Sequence, residues 1–416
     1  MKVAYFSPLP PERTGIADYS ALLLPALRRR LEVEVVRRGA RRAPRGTDIA
    51  LYHVGNNPDA HGWIVAALRR RQGVVVLHDF VLHHLVAGLT LGRGDTDAYL
   101  DAMQRDSGGI GRLIAHGVID GLLPPVLESR PDEFPLVHSV LDHAGGVIVH
   151  SRYVVEKVRQ SGFRGPVWRI PHPAWREPDE VQPLPLPRPA SVVIGCFGNL
   201  NPSKRGPQLL QAFAKLLERH PDALLVLAGG ISSRYELELQ AAEHGLRLGE
   251  TVVHLGYLDE GNIWPLLAAC DILVSLRWPT MGETSGSVIR ALAAGRPLVV
   301  SDGGWFSELP EGVAAKVPVG EREVETLAAF LDAIASDEEL RRRMGRAAAE
   351  YSRQEHDLDR VADLYMAALE EGAGGPAVRD ELAGELARAA WDVGLDARSP
   401  ELDELSTRVR ELGVGL

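Results

Sequence analysis

The sequence predicts an α/β protein built from two doubly wound parallel-sheet domains. Its 416 residues exceed what one compact core usually accommodates. Short β-rich runs alternate with helical patterns in both halves, and a Pro-rich, charged segment without apolar periodicity separates them. We therefore predict an N-terminal domain at 1–175, a linker at 176–190 and a C-terminal domain at 191–355. A helix at 356–372 is expected to pack back toward the N-terminal domain, and a helical tail follows at 373–416.

The first half reads as a series of strands, each followed by a loop or helix. The strand-like runs are KVAYFS, VEVV, IALYHV, GVVVLHD, GGVIVHS and VWRIPH. Amphipathic stretches such as SALLLPALRRR and RYVVEKVRQ lie between them and predict helices that cover a parallel sheet. A more polar helical stretch around 92–135 is interpreted as an insertion over one face.

The second half repeats this alternation. Its strand-like runs are SVVIGCFG, ALLVLAGG, VVHLG, ILVSL, PLVVSD and AAKVPV, and patterns such as QLLQAFAKLLERH predict the intervening helices. In parallel sheets of this kind, ligands bind beyond the carboxyl ends of the strands. We therefore look for a site in the loops that follow strands, and expect two facing domains with a cleft between them.

The composition excludes several classes of protein. Apolar residues make up 45% and charged residues 25%, which is typical of a globular chain. A net charge of −10 argues against a nucleic-acid partner. Cys196 and Cys270 lie in apolar runs, which predicts buried free thiols in a reducing compartment. With no leader pattern and no bilayer-length apolar run, we predict a cytoplasmic protein and leave peripheral contact with the inner membrane face open.

One loop stands out for its positive charge. Lysine occurs only five times, yet Lys204 and Arg205 lie together between the strand SVVIGCFG and the next helix. The free N–H groups of a helix N-terminus already favour an anion, so paired cations at this turn suit a diphosphate. The alternative is a solvated basic loop.

A second loop, after the strand ILVSL, combines small residues, hydroxyls and one carboxylate. Gly282 and Glu283 precede Thr284, Ser285, Gly286 and Ser287 at the start of another helix. Exposed backbone N–H groups there would form a second anion site. Glu283 suits sugar hydroxyls, with helix capping as the alternative.

The first half offers weaker signals. Gly15 lies in the loop after the first strand, where the backbone either approaches a ligand or simply turns. His78 and Asp79 end one strand, and Asn56 and Asn57 end its neighbour, where they either face the same ligand or turn the chain. Asp79 and His83 have a metal-like spacing, but no third ligand has a recognisable position. GxGxxG and P-loop consensus patterns are both absent.

Taken in order along residues 1–370, these motifs resemble the family 4 retaining glycosyltransferases. The resemblance is carried by the Gly15 loop and by LHD, VIVHS, IPHP, FGNLNPSKRG, LLVLAGG, VVHLGYL and GETSGSVIRALAAGRPLVVSD. It implies a GT-B fold, in which two Rossmann-like domains face each other. It also implies transfer of a sugar from a nucleoside-diphosphate sugar, with retention at the anomeric carbon and without a metal or other cofactor.

The resemblance also implies roles for particular residues. The family's lysine falls on Lys204, with Arg205 beside it, whereas its arginine position is Asn199 in this sequence. Glu283 is the best match for the carboxylate that holds the donor sugar. Arg290 occupies the position of a second glutamate, normally a ligand of the ribose hydroxyls, and its alternative role is a contact with the nucleotide or the acceptor.

The remaining matches complete the predicted site. His78 corresponds to a histidine that lies against the donor sugar near the reaction centre. Gly15 falls in the loop that approaches the diphosphate or acceptor. The other expected contacts with the diphosphate are Gly198, Asn199, Thr284, Ser285, Gly286 and Ser287, and those with the acceptor or sugar are Asp79, Asn56 and Asn57.

The predicted partners are a UDP-, GDP- or ADP-sugar and a glycan, lipid-linked or small-molecule acceptor. An oligomer formed through the helical tail is left open. The runner-up function is a non-catalytic nucleotide-sugar-binding protein, suggested by the departures at Asn199 and Arg290. A sugar-nucleotide epimerase on the same fold is a third alternative.

Overall fold

The structure is a computed structural model that describes residues 1–395 and 399. Each predicted strand is present, and apolar side chains fill most of them. The strands are β1 (Lys2–Phe6), β2 (Glu32–Val35), β3 (Ile49–Val54), β4 (Val74–Leu77), β5 (Gly146–Val149), β6 (Val167–Arg169), β7 (Val193–Phe197), β8 (Leu224–Ala228), β9 (Val252–Gly256), β10 (Ile272–Ser275), β11 (Leu298–Ser301) and β12 (Ala314–Val317).

Helices follow most of these strands. They are α1 (Gly15–Arg28), α2 (Pro58–Leu68), α3 (His83–Leu89), α4 (Thr96–Ile119), α5 (Val126–Ser129), α6 (His138–Leu141), α7 (Arg152–Gln160), α8 (Gly206–Leu217), α9 (Ser233–Leu246), α10 (Glu260–Ala269), α11 (Gly286–Ala293), α12 (Glu323–Ser336), α13 (Glu338–Glu355) and α14 (Leu358–Asp392).

The strands form two six-stranded sheets in which neighbouring strands run parallel. The first has the order β2-β1-β3-β4-β5-β6 and the second the order β12-β11-β10-β7-β8-β9. Apolar residues cover both faces of the second sheet in two buried clusters. Such fully apolar strands are typical of parallel sheets covered by helices. The predicted doubly wound α/β class is confirmed.

In each sheet, the direction in which successive strands are added reverses at one strand. In the first sheet, β2 and β3 lie on opposite sides of β1; in the second, β8 and β10 lie on opposite sides of β7. Loops diverge at such a point and leave a crevice at the carboxyl ends of the strands, where ligands bind in open α/β sheets. The loops after β7 and β10 are therefore neighbours, although they are some 70 to 80 residues apart in the sequence.

The chain divides into two compact units. Unit 1 contains Met1–His150, Val154–Ile170 and the described residues from Ala362 on, and unit 2 contains Ser151–Tyr153 and Pro171–Val361. The Pro-rich segment predicted as a linker belongs to unit 2. Its apolar residues pack against that unit's core, and the Leu184 N–H donates to the Pro265 carbonyl at 2.8 Å.

The helix α14 differs from its predicted form. The glycines after Glu371 predict a break, yet α14 continues to Asp392. A Cβ on Gly372 would lie 3.0 Å from Val74 and 3.2 Å from Ile49, so this glycine allows the helix to pack closely on β4 and β3. The predicted tail also includes 396–398 and 400–416, which lie outside the described residues. Among the described residues, no helix is long and apolar enough to cross a membrane.

Candidate functional site

Lys204 is a buried cation at the carboxyl end of β7. It lies in a short 3-10 turn (Pro202–Lys204) just before α8, and only 3% of its surface is exposed. Its ammonium has three donors, and within the described part of the chain it makes one long contact, to the Phe197 carbonyl at 3.4 Å. A buried ammonium with so few acceptors is suited to an anion supplied from outside the chain.

The electrostatics of Lys204 follow from this setting. Burial lowers the pKa of Lys204 from 10.5 to about 8, and the positive charge of Arg277 acts in the same direction. Cys196 and Glu283 raise the pKa of Lys204 by smaller amounts. Lys204 therefore remains mostly protonated at pH 7, at a cost that a bound anion would relieve.

Arg277 is a functional candidate that the sequence analysis missed. It lies just after β10, its Nη1 donates to Ser203 Oγ at 3.2 Å, and the next residue's N–H donates to the Ser203 carbonyl at 2.8 Å. These bonds join the β10 loop to the loop of Lys204. An arginine directly beyond an apolar strand in ILVSLRWPT was the available signal. The positive charge of Arg277 acts on Lys204 and lowers the pKa of that lysine, although Arg277 also has Glu283 as a carboxylate partner.

Glu283 lies beside Arg277. The Arg277 Nε is 3.0 Å from Glu283 Oε1, and both side chains are less than one-fifth exposed. The other carboxylate oxygen accepts from the Met281 N–H at 2.8 Å and from Thr280 Oγ1 at 3.2 Å. Glu283 is thus held in place by its own loop, and it does not cap α11.

The N-terminus of α11 completes the arrangement. Ser285 is the N-cap, and its hydroxyl accepts from the Val288 N–H at 3.4 Å. Gly286 and Ser287 form the first turn, where backbone N–H groups lack partners within the helix. A Cβ on Gly198 would lie 2.7 Å from Ser287 Oγ and 3.5 Å from Lys204 Nζ, so the glycine backbone brings the two loops together. The Thr284 hydroxyl is buried and has no hydrogen-bond partner among the described residues.

The structure separates Arg205 from Lys204, contrary to the predicted pair. Arg205 has a left-handed backbone (φ 57°), and its side chain forms an ion pair with Glu323, donating from Nε at 3.0 Å and also from Nη2. The Glu323 side chain is 1% exposed. This buried carboxylate neutralises Arg205 and ties its side chain to the start of α12, so Arg205 already has a partner within the protein.

Arg290 is engaged by protein side chains, and the diphosphate contact predicted for Asn199 stays a prediction. Arg290 is buried, stacks over the Trp175 ring at 3.6 Å and donates to both carboxylate oxygens of Glu260 at 2.8 and 2.9 Å. It is therefore engaged within unit 2. Asn199 is exposed, and its carbonyl accepts from Asn201 Nδ2 at 3.5 Å. The family's arginine has no counterpart there, whereas Arg277 approaches from a different strand.

The predicted residues of unit 1 lie at the carboxyl edge of its sheet. His78 directly follows β4, and its Nε2 is 3.0 Å from His53 Nδ1. Asp79 Oδ2 accepts from the Asn56 N–H at 2.9 Å, and Asn56 Oδ1 accepts from the Leu85 N–H at 3.0 Å. The structure thus brings His78, Asp79 and Asn56 together within one unit.

Of the other unit 1 candidates, Asn57 has a structural role and Gly15 has none that requires glycine. Asn57 is the N-cap of α2 and accepts from the N–H groups of Asp59 and Ala60. Gly15 is the exposed first residue of α1, and a Cβ there would meet no atom within 4 Å. Neither crowding nor a positive φ requires glycine at this position, so its predicted ligand contact stays a prediction.

The metal alternative for Asp79 and His83 fails. His83 is fully buried, and its ring nitrogens contact the Phe134 carbonyl at 2.7 Å and Tyr99 Oη at 2.8 Å. Both nitrogens are therefore occupied by protein partners. In the part of the chain that the structure describes, no group of three or more His, Cys, Asp or Glu side chains could hold a metal ion. The predicted independence from metal stays a prediction.

Comparison with known proteins matches the half of the chain that carries Lys204, Arg277 and Glu283. The family model described as glycosyl transferases group 1 matches residues 185–351. These residues are similar to group 1 glycosyltransferases. Among the curated relatives, the uncharacterised glycosyltransferase YqgM of Bacillus subtilis is 27% identical over 229 residues, covering 55% of this chain and 61% of that protein.

A second curated relative extends the comparison. The lipopolysaccharide core biosynthesis mannosyltransferase LpsB of Rhizobium meliloti is 30% identical over 165 residues, covering 39% of this chain and 45% of that protein. The chain thus spans about half to three-fifths of the length of these two relatives.

Solved structures show the fold of most of the chain. Sucrose-phosphate synthase from Thermosynechococcus elongatus has a TM-score of 0.61 at 18% identity, covering 89% of this chain and 98% of that one. Anabaena HepE, solved in complex with UDP-glucose, has a TM-score of 0.61 at 18% identity, covering 89% and 100%. The predicted GT-B fold is confirmed.

Proposed function

We propose that this chain is a retaining, family 4 type glycosyltransferase that moves a sugar from a nucleoside-diphosphate sugar to an acceptor hydroxyl. The observation that carries the proposal is the buried Lys204 ammonium, whose one hydrogen bond to the described residues is a 3.4 Å contact with the Phe197 carbonyl. The group 1 domain match and the fold likeness add support. HepE, which was solved with UDP-glucose bound, gives a precedent for the donor class.

The diphosphate would bind between the two loops at the switch point of the second sheet. Lys204 and Arg277 would neutralise its oxygens, and the N–H groups of Gly286 and Ser287 would donate to them. Negative charge grows on the leaving diphosphate as the bond to the anomeric carbon breaks. Groups already aimed at that charge lower the barrier without reorganising, and losing one such group typically costs a few kcal/mol.

The transfer needs no side-chain nucleophile in this proposal. The bond from the anomeric carbon to the diphosphate oxygen breaks, the acceptor oxygen bonds to the same face of that carbon, and the acceptor proton passes to the departing phosphate oxygen. Glu283 would accept hydrogen bonds from donor-sugar hydroxyls, since its carboxylate is held by Arg277 and Thr280. The family 4 assignment and the retaining course come from the motif resemblance.

The contacts predicted for His78, Asp79 and Asn56 with the sugar or acceptor remain part of this proposal. The proposal also includes the acceptor class, independence from metal, a cytoplasmic location, contact with a membrane surface and an oligomer formed through the tail.

The test is direct binding of UDP, GDP and ADP by calorimetry, followed by slow hydrolysis of the matching nucleotide sugars. We expect one nucleotide to bind, and Arg277→Ala to weaken it at least tenfold, because one of two cations is lost. Lys215→Ala is the matched control, since Lys215 is half-exposed and distant from the β7 and β10 loops in sequence. If no nucleoside diphosphate binds, or if Arg277→Ala binds as tightly as the parent, the proposed site is refuted.

A binding protein without transferase activity is the second candidate, favoured by Arg290. An arginine engaged with Glu260 and Trp175 occupies the position where the family resemblance expects a glutamate that binds the ribose. An epimerase is the third alternative. Incubating the donor with and without added sugar acceptors separates these functions: nucleotide binding with no release of nucleoside diphosphate supports the second candidate, and an isomerised donor supports the third.

A further inference from the structure

Three histidines meet at the carboxyl edge of the first sheet. His53 lies near the end of β3, while His78 and His150 directly follow β4 and β5. None is more than 9% exposed, and His53 is 0% exposed. The ring centroids of His53 and His78 are 5.3 Å apart, and those of His78 and His150 are 5.2 Å apart. Few arrangements of protons are possible in such a cluster, because of two hydrogen-bonded ring nitrogens one must donate and the other must accept.

The decisive contact joins His53 Nδ1 to His78 Nε2 at 3.0 Å. One nitrogen must donate and the other must accept, so the bond contains a single proton. If His53 donates, then His78 accepts at Nε2 and its own proton is on Nδ1. If His78 donates from Nε2, the neutral His53 has its proton on Nε2.

The surroundings of His53 discriminate between these arrangements. His53 Nε2 is buried and has no hydrogen-bond partner within the described chain. Placing the proton there would create a buried N–H without an acceptor, and such orphaned donors are rarer than under-satisfied acceptors. Placing the proton on Nδ1 uses it in the bond to His78.

The histidines and tyrosines around His53 have hydrogen-bond partners other than His53 Nε2. His61 Nδ1 lies 3.1 Å from the His53 carbonyl and His150 Nδ1 lies 2.8 Å from the Ile170 carbonyl, so both must donate there. Tyr5 Oη donates to Ser20 Oγ at 3.0 Å, and Tyr19 Oη lies 2.7 Å from Tyr365 Oη. Burial lowers the pKa of His53 far below 6.5, and nearby His150 and His61 act in the same direction, so a charged His53 is disfavoured.

We infer that His53 is a positioning residue that holds His78 as the neutral Nδ1–H tautomer, so that His78 presents a hydrogen-bond donor and not a general base. A neutral N–H donor suits an oxygen atom of a sugar or phosphate. The link to turnover rests on the proposed transferase function, whereas the tautomer itself does not.

The experiment is nitrogen-15 NMR of the full chain labelled at histidine, which distinguishes protonated from bare ring nitrogens. For His78 we expect a protonated Nδ1 and a bare Nε2, with the same pattern in His53. Signals are assigned by their loss in His78→Gln and His53→Asn. A protonated Nε2 in His78 overturns the inference, whether or not the protein turns over any donor.

Two His53 variants connect the tautomer to activity. His53→Asn retains an N–H donor and should retain both the His78 tautomer and most of the turnover. His53→Leu removes the donor that fixes the tautomer, so we expect the preference of His78 for Nδ1–H to weaken to a mixture of both tautomers and kcat to fall about 10–100-fold, as for other residues that orient a functional histidine. His83→Gln is the control for loss of a buried histidine elsewhere.

The outcomes are separable. A fall in kcat for His53→Leu with an unchanged His78 tautomer contradicts positioning through the proton. If the parent has no turnover, the proposed function fails while the NMR result still decides the inference. If His53→Leu does not fold, the parent spectrum and His53→Asn decide it.

Discussion

Replacing Lys204 by methionine should make the protein more stable and unable to bind a diphosphate. Lys204 is held protonated in a buried setting that lowers its pKa from 10.5 to about 8. At about 1.4 kcal/mol per pH unit, this corresponds to roughly 3 kcal/mol of unfavourable free energy in the unliganded folded state. Methionine has a similar length and no charge, so Lys204→Met should recover up to that amount.

The effect has a defined dependence on pH. Between pH 8 and 10.5 the unfolded chain keeps the Lys204 proton while the folded chain loses it, so the unfolded state binds more protons. The free energy of unfolding therefore rises with pH across this window, and the cost of the buried charge is fully present below pH 8. Lys204→Met should lack this rise.

Ligand affinity should show the complementary trend. Because a diphosphate binds the protonated form, affinity for the preferred nucleotide should decline above about pH 8, by up to tenfold per pH unit. The assays are chemical unfolding from pH 7 to 10 and calorimetric titration with UDP, GDP and ADP, with Lys215→Met as the exposed-lysine control. If Lys204→Met is destabilised by about 1 kcal/mol or more, or still binds the nucleotide, the reasoning is refuted.

Two further substitutions test the architecture of the site. Arg205→Ala should lower the free energy of unfolding by about 3 kcal/mol, because it leaves the buried Glu323 carboxylate without its partner. Nucleotide affinity should change less than threefold. A large loss of affinity with an unchanged free energy of unfolding would contradict this assignment. Gly229, which directly follows β8, has a φ of 142°, and an added Cβ would collide with the Gly198 carbonyl oxygen after β7, so Gly229→Ala should impair both folding and binding. An unchanged melting temperature would show that the β8 loop does not pack on the β7 loop in this way.

The fold could be predicted from the sequence because parallel strands have a strong pattern. Runs such as GVVVL and ALLVLA are apolar throughout, since both faces of these sheets are covered. The long α14 was harder to predict, since glycines usually end helices. Gly372 is tolerated because it lets the helix approach Val74 and Ile49, a contact some 300 residues away in the sequence.

The site was predicted less completely. The position of Lys204 followed from the strand-to-helix turn, which is local. The ion pair of Arg205 could not be predicted from its local sequence, because its partner Glu323 comes more than 100 residues later. The left-handed backbone at Arg205 directs the side chain toward it. Arg277 lies near Lys204 because β10 pairs with β7. The order of strands in a sheet cannot be predicted from the local pattern of apolar residues, so this proximity was missed.

The return of the chain to unit 1 at Ala362 has a consequence for synthesis on the ribosome. Tyr365 contacts Tyr19, and the side chains of Ala362 and Leu369 are completely buried. Unit 1 therefore lacks part of its core until more than 360 residues have been translated, whereas unit 2 is nearly continuous in sequence and ends at Val361. The first-made half of the protein should be the last to reach its native packing, so stalled nascent chains would expose it to chaperones and proteases for longer.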